Sequence, residues 1–523
     1  MTAPADTMPR PFSEVAILLH GTDNVAVLKR SVKAGEALLT GTSQLHVAAD
    51  IGPGHKFALT EIADGAPVRK YGQIIGFAQG HISPGEHVHT HNLVMKEFTR
   101  DCQFCVDAQP VRFYPPEQRR YFQGYARRDG RVGTRNYVGI ISSVNCSASV
   151  AGFVRDRFRT EAFHRDFPHV DGVVAFTHKA GCGTDPGEPL QMLQRVLAGI
   201  AQHPNVSGYV MIGLGCELNQ VEAIRKTHQL DDLKPGMNPG AFLNIQTVGG
   251  VRQTVEAGAA AVTRLLRRAN DLRRTPQPLT QLVLAENCGG SDANSGITAN
   301  AALGVASDEL VRYGGTSVLA ETPEIYGAEH LLTRRAASRE VGQELIELIR
   351  WWEEHARRHH CSINNNPSYG NKEGGLTTIY EKSLGAIAKS GQSPLAAVYR
   401  YAERVRTSGL CFMDTPGYDA VSMTGLVAGG CNLAVFTTGR GSVYGCKPVP
   451  CIKVASNTSL YNRMQEDMDL NAGTILDGTE TVEQVGRRIL EKMIAVASGE
   501  KTKSELAGLG DEEFAPWLLG PTF

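Results

Sequence analysis

The first hundred residues consist of short apolar or alternating runs separated by Gly, Asp and Pro turns. These runs lie at 15–19, 24–28, 56–60 and 73–78. Runs of this length between dense turn signals are typical of short β-strands. We therefore predict a small β module over residues 1–106, and a polar, proline-containing surface linker over 107–130.

From Asn136 the pattern changes to apolar strands that alternate with helices. The predicted strands lie at 137–144, 172–178, 208–215, 281–287 and 317–321, and the helices at 189–202 and 251–272. Continuous apolar strands alternating with amphipathic helices predict a largely parallel α/β sheet. A further region has strands in 403–414, 433–441 and 449–456 and a helix in 481–499. The predicted fold is thus α/β, with an α/β domain at 131–393 and a C-terminal α/β domain at 394–523 after the β module.

Composition narrows the class of protein. The 523 residues carry a formal net charge of −1, so neither nucleic acid nor a membrane surface is an expected partner. There is no run of 18 apolar residues and the N-terminus has no signal-peptide pattern, so we expect a cytoplasmic protein. Its 11 cysteines are then expected to be thiols rather than disulfides. The expected partner is a small molecule, and the sequence leaves a monomer and a homo-oligomer as alternatives.

Four cysteines each follow a predicted strand: Cys146, Cys182, Cys216 and Cys288. Parallel sheets place ligands at the carboxyl ends of their strands. Thiolates there, with His178 and Glu217 as alternative ligands nearby, would suit iron or zinc. The alternative is that each is simply a buried apolar cysteine.

The segment GEHVHTHN holds His87, His89 and His91. Alternate residues of a strand share a face, so these imidazoles could point the same way and bind a metal ion or exchange protons. The alternative is a solvated, histidine-rich edge strand.

Three polar loops are candidate substrate-binding segments. NNNPSYGNKEGG, at 364–375, holds Asn371 and Lys372, the latter a candidate base or carboxylate anchor. TTGRGSVYG, at 437–445, places Arg440 between glycines, where a guanidinium can bind a carboxylate with two hydrogen bonds. The other candidates are Asp419 in TPGYDA, and Ser291 and Asp292 in GSDANSGITAN. Nucleotide-binding glycine motifs (GxGxxG after the first parallel strand, GxxxxGK[ST]) are absent from the sequence.

Taken in order, these motifs resemble the altronate/galactarate dehydratase family, which includes sulfolactate sulfo-lyase. The resemblance runs from about Val15 to beyond Ile475 through GHKFALTEI, KYGQIIG, GEHVHTHN, GLGCE, CGGSDANSGITAN, NPSYGNKEGG, EKSLGAIAKSG and TTGRGSVYG. It implies that the β module is a β-clip (SAF-like) module. It also implies dehydration of an aldonate or aldarate, stimulated by iron(II). Tyr369 and Cys446 depart from the family pattern and bear on the substrate.

The expected reaction removes the C2 proton of a 2,3-dihydroxy acid and expels its C3 hydroxyl. A divalent metal ion can stabilise the developing charge, and a base and an acid complete the step. We expect iron(II), with manganese(II) or an iron–sulfur cluster as alternatives, bound by some of Cys146, Cys182, Cys216, Cys288, His87 and His89. The expected catalytic residues are Lys372, His89, His178 and Glu217. The expected substrate-binding residues are Arg440, Asn371, Ser291, Asp292 and Asp419.

The histidine-bearing GEHVHTHN favours an aldonate such as D-altronate or D-arabinonate. Galactarate dehydration and sulfite elimination from a sulfonate are the alternatives within the family. A non-catalytic protein that binds a metal ion or a sugar acid is the alternative of a different class. An oxidoreductase with a cysteine-ligated cluster is disfavoured by the absence of a nucleotide-binding motif.

Overall fold

The computed structural model describes residues 9–40, 43–98, 100–230, 238–520 and 522. Residues 1–8, on which the signal-peptide argument partly rests, lie outside the described residues.

The N-terminal module is built from short strands in three small sheets. The strands are β1 (Arg10–Pro11), β2 (Ala16–Ile17), β3 (Val25–Leu28), β4 (Ala37–Thr40), β5 (Ser43–His46), β6 (Lys56–Ala58), β7 (Pro67–Lys70), β8 (Gln73–Ala78), β9 (His87–Val88) and β10 (Leu93–Val94), with one helical turn, α1 (Phe12–Val15). The sheets have the orders β1-β4-β5, β2-β3-β6-β9 and β10-β8-β7. The apolar pattern placed β3 and β8 correctly, and the predicted β module is confirmed.

The segment that follows the module differs from a simple linker. Its first part runs along the C-terminal domain, where the ring of Tyr114 stacks on that of Tyr313 at 4.4 Å. Its last part forms strand β11 (Tyr121–Ala126), which pairs antiparallel with β12 (Val132–Gly133) and β17 (Thr275–Pro278). Strand formation prevails there because Phe122 and Tyr125 are buried.

The second domain contains a parallel sheet of order β14-β13-β15-β16. Its strands are β13 (Tyr137–Ser142), β14 (Gly172–Phe176), β15 (Val206–Gly213) and β16 (Gly240–Asn244). Its helices are α2 (Ala148–Asp156), α3 (Phe163–Asp166), α4 (Glu188–Ala201), α5 (Val221–Thr227), α6 (Ile245–Val248) and α7 (Val251–Asn270). The two inner strands, β13 and β15, are buried on both faces, as their continuous apolar runs predict.

The C-terminal domain contains a parallel sheet of order β20-β21-β19-β18-β22-β23-β24. Its strands are β18 (Val283–Cys288), β19 (Thr316–Leu319), β20 (Leu395–Tyr399), β21 (Gly409–Met413), β22 (Leu433–Thr438), β23 (Cys451–Ala455) and β24 (Leu470–Asn471). Its helices are α8 (Ala299–Arg312), α9 (His330–Thr333), α10 (Arg339–Arg358), α11 (Tyr369–Glu373), α12 (Ile379–Ile387), α13 (Asp419–Ala428), α14 (Thr458–Arg463), α15 (Val482–Ala497) and α16 (Lys503–Leu506). Short 3₁₀ turns lie at Pro116–Gln118, Asn145–Ser147, Leu279–Gln281, Thr322–Ile325, Ile363–Asn365, Ala388–Ser390 and Gly473–Ile475.

This sheet differs from the predicted division of the chain. Strands β18 and β19 precede residue 393 and β20 to β24 follow it, yet all belong to one sheet. The expected boundary at 393–394 therefore does not separate two sheets. The change from helical to strand pattern near Pro394 marks only the return of the chain from α12 into the same sheet.

Strand β18 is the topological switch point of the seven-stranded sheet. Its neighbour on one side is β19, and on the other side it is β22, which comes much later in the chain. Open α/β sheets bind ligands at such points, outside the carboxyl ends of the strands. The strand ends at Cys288, one of the predicted metal ligands.

Apolar packing holds the module against the C-terminal domain. One buried cluster combines Val68, Ile75 and Val88 of the module with Ile379 and Leu384 of α12. The module thus has part of its core in common with the helix that follows the 364–375 loop. No helix among the described residues is long and apolar enough to span a membrane.

Candidate active site

A thiol and two carboxylates meet at the switch point. Cys288 ends β18, and Glu321 and Glu324 follow the neighbouring strand β19. One ligand atom of each lies within 4.8 Å of the others, and all three side chains are buried. We call these residues the thiol–carboxylate cluster. Buried carboxylates are costly unless cations or hydrogen-bond donors compensate them.

Two lysines provide this compensation. Lys389 Nζ lies 2.9 Å from Cys288 Sγ and 3.0 Å from Glu321 Oε2. Lys382 Nζ lies 2.5 Å from Glu324 Oε1. Both lysines belong to the continuous helical segment of α12 and the turn Ala388–Ser390, and about two helical turns separate them. This spacing places their side chains on the same face of the segment.

The backbone at Glu321 is strained. Its φ of 71° lies in the left-handed region, which residues other than glycine seldom occupy. The Glu321 N–H donates to Thr415 Oγ1 over 2.9 Å, and the Thr322 N–H donates to the Thr415 carbonyl over 2.9 Å. Strain held in place by surrounding contacts is characteristic of functional sites.

Burial raises the pKa values of two acidic groups in this region, Cys288 and Asp419. Burial raises the pKa of the Cys288 thiol to about 12, although Lys389 opposes the effect. Burial raises the pKa of Asp419 to about 8, and the charges of Glu321 and Glu324 add to this. Asp419, which accepts a hydrogen bond from the Asn287 amide over 3.2 Å, is therefore mostly a neutral acid near pH 7. A neutral carboxylic acid can donate a proton to a leaving group.

The thiol–carboxylate cluster has donors that fit a divalent first-row metal ion. Carboxylate oxygens suit iron(II) and manganese(II), and a thiolate suits iron. Glu321 Oε1 is buried and has no hydrogen-bond partner in the described part of the chain, so its lone pairs are available. A cation would also reduce the repulsion between the two carboxylates.

The module contributes histidines to the opposite side of the 364–375 loop. The ring centroids of His55, His87 and His89 lie 5.1 to 5.4 Å from one another, and we call these residues the histidine group. His89 Nε2 donates to the Lys372 carbonyl over 2.9 Å, and His55 Nε2 donates to the Glu373 carbonyl over 3.2 Å. His87 belongs to β9, whereas His89 lies in the turn after it. The rings therefore meet because the chain turns, and not because three histidines share a strand face.

The histidine group is neutral over a wide pH range. Burial, and then the neighbouring histidines, lower the pKa of His87 to about 3. Burial and the charge of Lys56 lower the pKa of His89 to about 4. A carbonyl bond from one ring nitrogen leaves the other nitrogen able to bind a metal ion. Within the described residues, however, the three rings do not bring one nitrogen each within 4.8 Å of one another, as the thiol–carboxylate cluster does with its ligand atoms. The expectation that His87 and His89 bind the metal ion stays a prediction.

The loop 364–375 connects the histidine group to the thiol–carboxylate cluster. At one end, Asn366 Oδ1 accepts a hydrogen bond from Lys382 over 2.8 Å. At the other end, the Lys372 and Glu373 carbonyls accept from the histidines. Between them, the Asn371 amide donates to the Ser291 carbonyl over 2.8 Å, and its oxygen accepts from the Ser368 N–H and hydroxyl. Asn371 therefore supports the loop rather than offering free groups to a substrate.

Asp292 and Ser291 lie directly under this loop. Asp292 accepts from the hydroxyls of Ser295 and Ser456 over 2.8 and 2.9 Å, and from the Asn457 amide over 3.1 Å. This engagement makes it a support for the surrounding loops, not a free substrate ligand. Ser291 Oγ, by contrast, is buried without a hydrogen-bond partner in the described structure.

Arg440 lies at the exposed rim of the same region. Its guanidinium is 3.2 Å from the Glu373 carboxylate, and both side chains are about half exposed. Gly374 packs against Asp292 and Arg440, so that a Cβ at Gly374 would lie 3.0 Å from Asp292 Cβ and 3.2 Å from Arg440 Cδ. The predicted residues Arg440 and Asp292 are thus both neighbours of the end of the 364–375 loop, which holds Lys372.

The other predicted residues lie in the second domain. Cys146, Cys182 and Cys216 are exposed on loops after β13, β14 and β15. Within the described residues they do not form a set of ligand atoms within 4.8 Å of one another, and Cys288 is not grouped with them. The four cysteines therefore do not follow the strands of one sheet: Cys146, Cys182 and Cys216 follow the adjacent strands β13, β14 and β15, whereas Cys288 follows β18 of the other sheet. The expectation that some of them bind the metal ion stays a prediction.

Both ring nitrogens of His178 and both carboxylate oxygens of Glu217 form hydrogen bonds within the protein. His178 Nε2 donates to the Ser142 carbonyl over 3.0 Å, and its Nδ1 accepts from the Ala180 N–H over 3.2 Å. Glu217 accepts from the Ser143 hydroxyl and from the N–H groups of Leu214 and Gly215. These bonds engage both ring nitrogens of His178 and both carboxylate oxygens of Glu217 in supporting the nearby loops. The catalytic role expected of each residue stays a prediction.

Sequence reasoning missed Glu321, Glu324, Lys382, Lys389 and His55. They lie in or beside segments that the sequence analysis used: Glu321 ends the strand pattern SVLAE, both lysines lie in EKSLGAIAKSG, and His55 lies in GHKFALTEI. The local sequence alone does not distinguish these side chains from charged surface residues, because most of their contacts are with residues far away in the chain.

Comparisons with known proteins cover nearly the whole chain. A model of the D-galactarate/altronate dehydratase C-terminal domain matches residues 279–522. A model of the D-galactarate dehydratase/altronate hydrolase second domain matches 124–270, and one of the altronate/galactarate dehydratase SAF domain matches 14–96.

Three curated relatives are similar over almost their full length. The altronate dehydratase of Bacillus subtilis (strain 168) is 37% identical over 494 residues, 94% of this chain and 96% of the relative. The altronate dehydratase of Escherichia coli (strain K12) is 36% identical over 94% of this chain and 96% of its own length. The galactarate dehydratase (L-threo-forming) of the same organism is 38% identical over 95% of each chain. Identities this similar do not distinguish between the two substrates.

Proposed function

The chain belongs to the altronate/galactarate dehydratase family of hydro-lyases, and we propose that it dehydrates an aldonate, such as D-altronate or D-arabinonate, to the 2-keto-3-deoxy acid. The observation that carries the proposal is the arrangement of the histidine group and of the thiol–carboxylate cluster, whose charges act on Asp419, around one loop. The neutral histidine group lies on one side of residues 364–375, and the lysine-balanced thiol–carboxylate cluster lies on the other. Eliminating water requires both a base and an acid.

We propose that the cofactor is iron(II), held by Cys288, Glu321 and Glu324. The donor set supports this, as does the unpartnered Glu321 oxygen. When bound, the ion supplies Lewis-acid stabilisation of the negative charge that develops on the substrate carboxylate. Lys382 and Lys389 keep the cluster close to electrical neutrality, which limits the cost of burying the carboxylates.

The proton transfers are assigned to residues that are in the required protonation state near pH 7. His89 is neutral, and its Nε2 donates to the Lys372 carbonyl, so its Nδ1 takes the C2 proton. In the free protein this nitrogen lies 3.1 Å from the hydroxyl of the exposed Thr90, a contact that the substrate replaces. Asp419, mostly a neutral acid, gives a proton to the departing C3 hydroxyl. The enol left between C2 and C3 then becomes the 2-keto acid. The Lys372 amine, which makes no ion pair within the described residues, was the other predicted base; as a cation it is assigned to substrate binding instead.

The rim of the site carries a charge that suits one carboxylate. Arg440 and Lys372 are cationic, and Glu373 offsets one of these charges from 3.2 Å away. One net positive charge binds a monocarboxylate such as an aldonate. A second carboxylate without a cation would be costly to bury. This balance supports an aldonate over galactarate.

The test is a substrate panel under anaerobic, reducing conditions. The purified protein with iron(II) is incubated with D-altronate, D-arabinonate, galactarate and a sulfolactate, and 2-keto-3-deoxy acid and sulfite are measured. We expect 2-keto-3-deoxy acid from an aldonate. Sulfite release from the sulfonate alone would assign the elimination to a different leaving group. Binding of an aldonate with no product from any substrate would indicate a binding protein instead.

A further inference from the structure

A buried carboxylate of the C-terminal domain binds two lysines of the N-terminal module. Glu381 Oε2 lies 2.9 Å from Lys56 Nζ, and Glu381 Oε1 lies 3.0 Å from Lys70 Nζ. All three side chains are at most 1% exposed. No atom of this triad is part of the thiol–carboxylate cluster or of the histidine group.

The triad is anchored at both sides. On the C-terminal domain, Glu381 Oε2 also accepts from the Thr377 N–H and hydroxyl over 3.0 and 2.7 Å. From the module, Lys56 Nζ donates to the Gly375 carbonyl over 2.8 Å. Lys56 therefore binds both the helix α12 and the end of the loop whose carbonyls receive the histidine bonds.

The backbones of the two parts approach closely at this point. Gly375 has a φ of +94°, and a Cβ there would lie 2.6 Å from the Gly54 carbonyl oxygen. Only glycine permits this approach without displacement. The register of the module on the loop is therefore fixed by contacts that tolerate little movement.

The same lysine is coupled directly to the histidine group. Lys56 follows His55 in the chain, and β6 pairs with β9 so that Phe57 lies opposite His87. A displacement of Lys56 would thus move His55 and His87 together. Holding catalytic groups within a fraction of an ångström requires such supporting contacts.

We propose that Glu381 is a positioning residue, which locks the histidine-bearing module onto the loop 364–375 through Lys56 and Lys70. This docking, rather than the covalent connection after residue 96, keeps the histidines in the site. The effect on turnover rests on the proposed function, whereas the docking itself does not.

The test uses the full chain with a site-specific protease sequence inserted between Lys96 and Glu97, both of which are exposed. After cleavage, gel filtration shows whether the module remains bound, and turnover of the best aldonate is measured on the same sample. We expect the cleaved wild type to elute as one complex with turnover unchanged within about twofold. A module that separates from the cleaved wild type would overturn the proposal.

Glu381→Ala is expected to release the module after cleavage. Before cleavage it should lower kcat by about a hundredfold, because displaced catalytic groups lose that much. Its KM should change little, because Arg440 lies on the C-terminal domain. The control is Glu256→Gln, which alters an exposed pair with Arg252 and should affect neither property. Retention of the module with full kcat in cleaved Glu381→Ala would contradict the role of Glu381.

A charge-free triple variant distinguishes positioning from chemistry and from misfolding. Lys56→Met, Lys70→Met and Glu381→Met together replace the ionic triad with apolar side chains, which is often neutral for stability. We expect this variant to retain the module after cleavage and to recover kcat relative to Glu381→Ala. A variant that docks but stays inactive would show that the triad acts in the chemistry. If no substrate is turned over by any variant, the docking result still decides the proposal, and only the proposed function fails.

Discussion

Lys389 Nζ lies 2.9 Å from Cys288 Sγ, and both residues are buried at the end of the central strand. The lysine also bonds to Glu321, so one ammonium group compensates two potential anions. This contact joins a residue of β18 to a residue of the segment after α12, at the buried end of the site.

Removing this ammonium is expected to destabilise the C-terminal domain. Lys389→Met leaves the Glu321 carboxylate buried without its cation, a change that costs about 3–5 kcal/mol. The measurement is urea unfolding followed by tryptophan fluorescence and by far-UV circular dichroism. The control is Lys492→Met, because the Lys492–Glu500 pair is partly exposed and should contribute less than about 1 kcal/mol. Equal effects of the two substitutions would show that the buried Lys389–Glu321 pair stabilises the protein no more than a partly exposed pair does.

Replacing Cys288 is expected to weaken iron binding selectively. Cys288→Ser substitutes a poor ligand for a thiolate, and we expect roughly a hundredfold loss of iron(II) affinity. The readouts are bound iron after anaerobic gel filtration and the rise in Tm on adding iron(II), since a ligand of the folded state stabilises it. Cys361→Ser, at a site remote from the cluster in sequence and partly exposed, is the matched control. Undiminished iron in Cys288→Ser would remove this residue from the proposed ligands.

The contrast between what the sequence predicted and what it missed follows from the range of the interactions. Strands such as β13 and β18 and loops such as that of Arg440 were predicted, because apolar runs and glycine-bracketed polar segments are local signals. The contact between Lys56 and Glu381 was missed because 325 positions separate the two residues in the chain. Cys288 was grouped with three cysteines that follow strands of another sheet, because the assignment of strands to sheets cannot be obtained from strand patterns alone.

The second domain is expected to become less stable as the pH falls, because His203 is buried in its neutral form. This histidine is fully buried, its Nε2 donates to the Cys431 carbonyl over 2.9 Å, and its Nδ1 accepts from the Asn205 N–H over 3.0 Å. Protonation would break the second bond, and burial lowers the pKa of His203 to about 3.

The direction of this pH dependence follows from the number of protons that the folded and unfolded chains bind at His203. Below pH 6.5 the unfolded chain binds a proton at this residue that the folded chain does not, so stability decreases as the pH falls from about 6.5 to about 3. The contribution is about 2 kcal/mol between pH 7 and pH 5. The measurement is urea unfolding at pH 7, 6 and 5 for the wild type and for His203→Gln, with His360→Gln at the surface as control. A pH dependence unchanged by His203→Gln would exclude this histidine as the source.

The charge of the rim is expected to influence which sugar acid the protein prefers. D-altronate, D-arabinonate and galactarate require the same proton transfers, so discrimination must come from groups that contact the rest of the substrate. The Glu373 carboxylate offsets Arg440 from 3.2 Å, and Glu373→Gln leaves the rim with two net positive charges. We expect kcat/KM for galactarate to rise by about tenfold relative to that for D-altronate, because a second carboxylate then gains a charge-assisted partner. Both side chains are about half exposed, so the loss of the pair itself should change stability by less than about 1 kcal/mol.

Glu354→Gln, which removes a carboxylate that pairs with Arg357 and Arg358 on α10, controls for a general change in charge. The measurement is kcat/KM for the three acids on each variant at two ionic strengths, because an electrostatic effect weakens with salt. An unchanged ratio of galactarate to D-altronate in Glu373→Gln would show that the rim charge does not select the substrate.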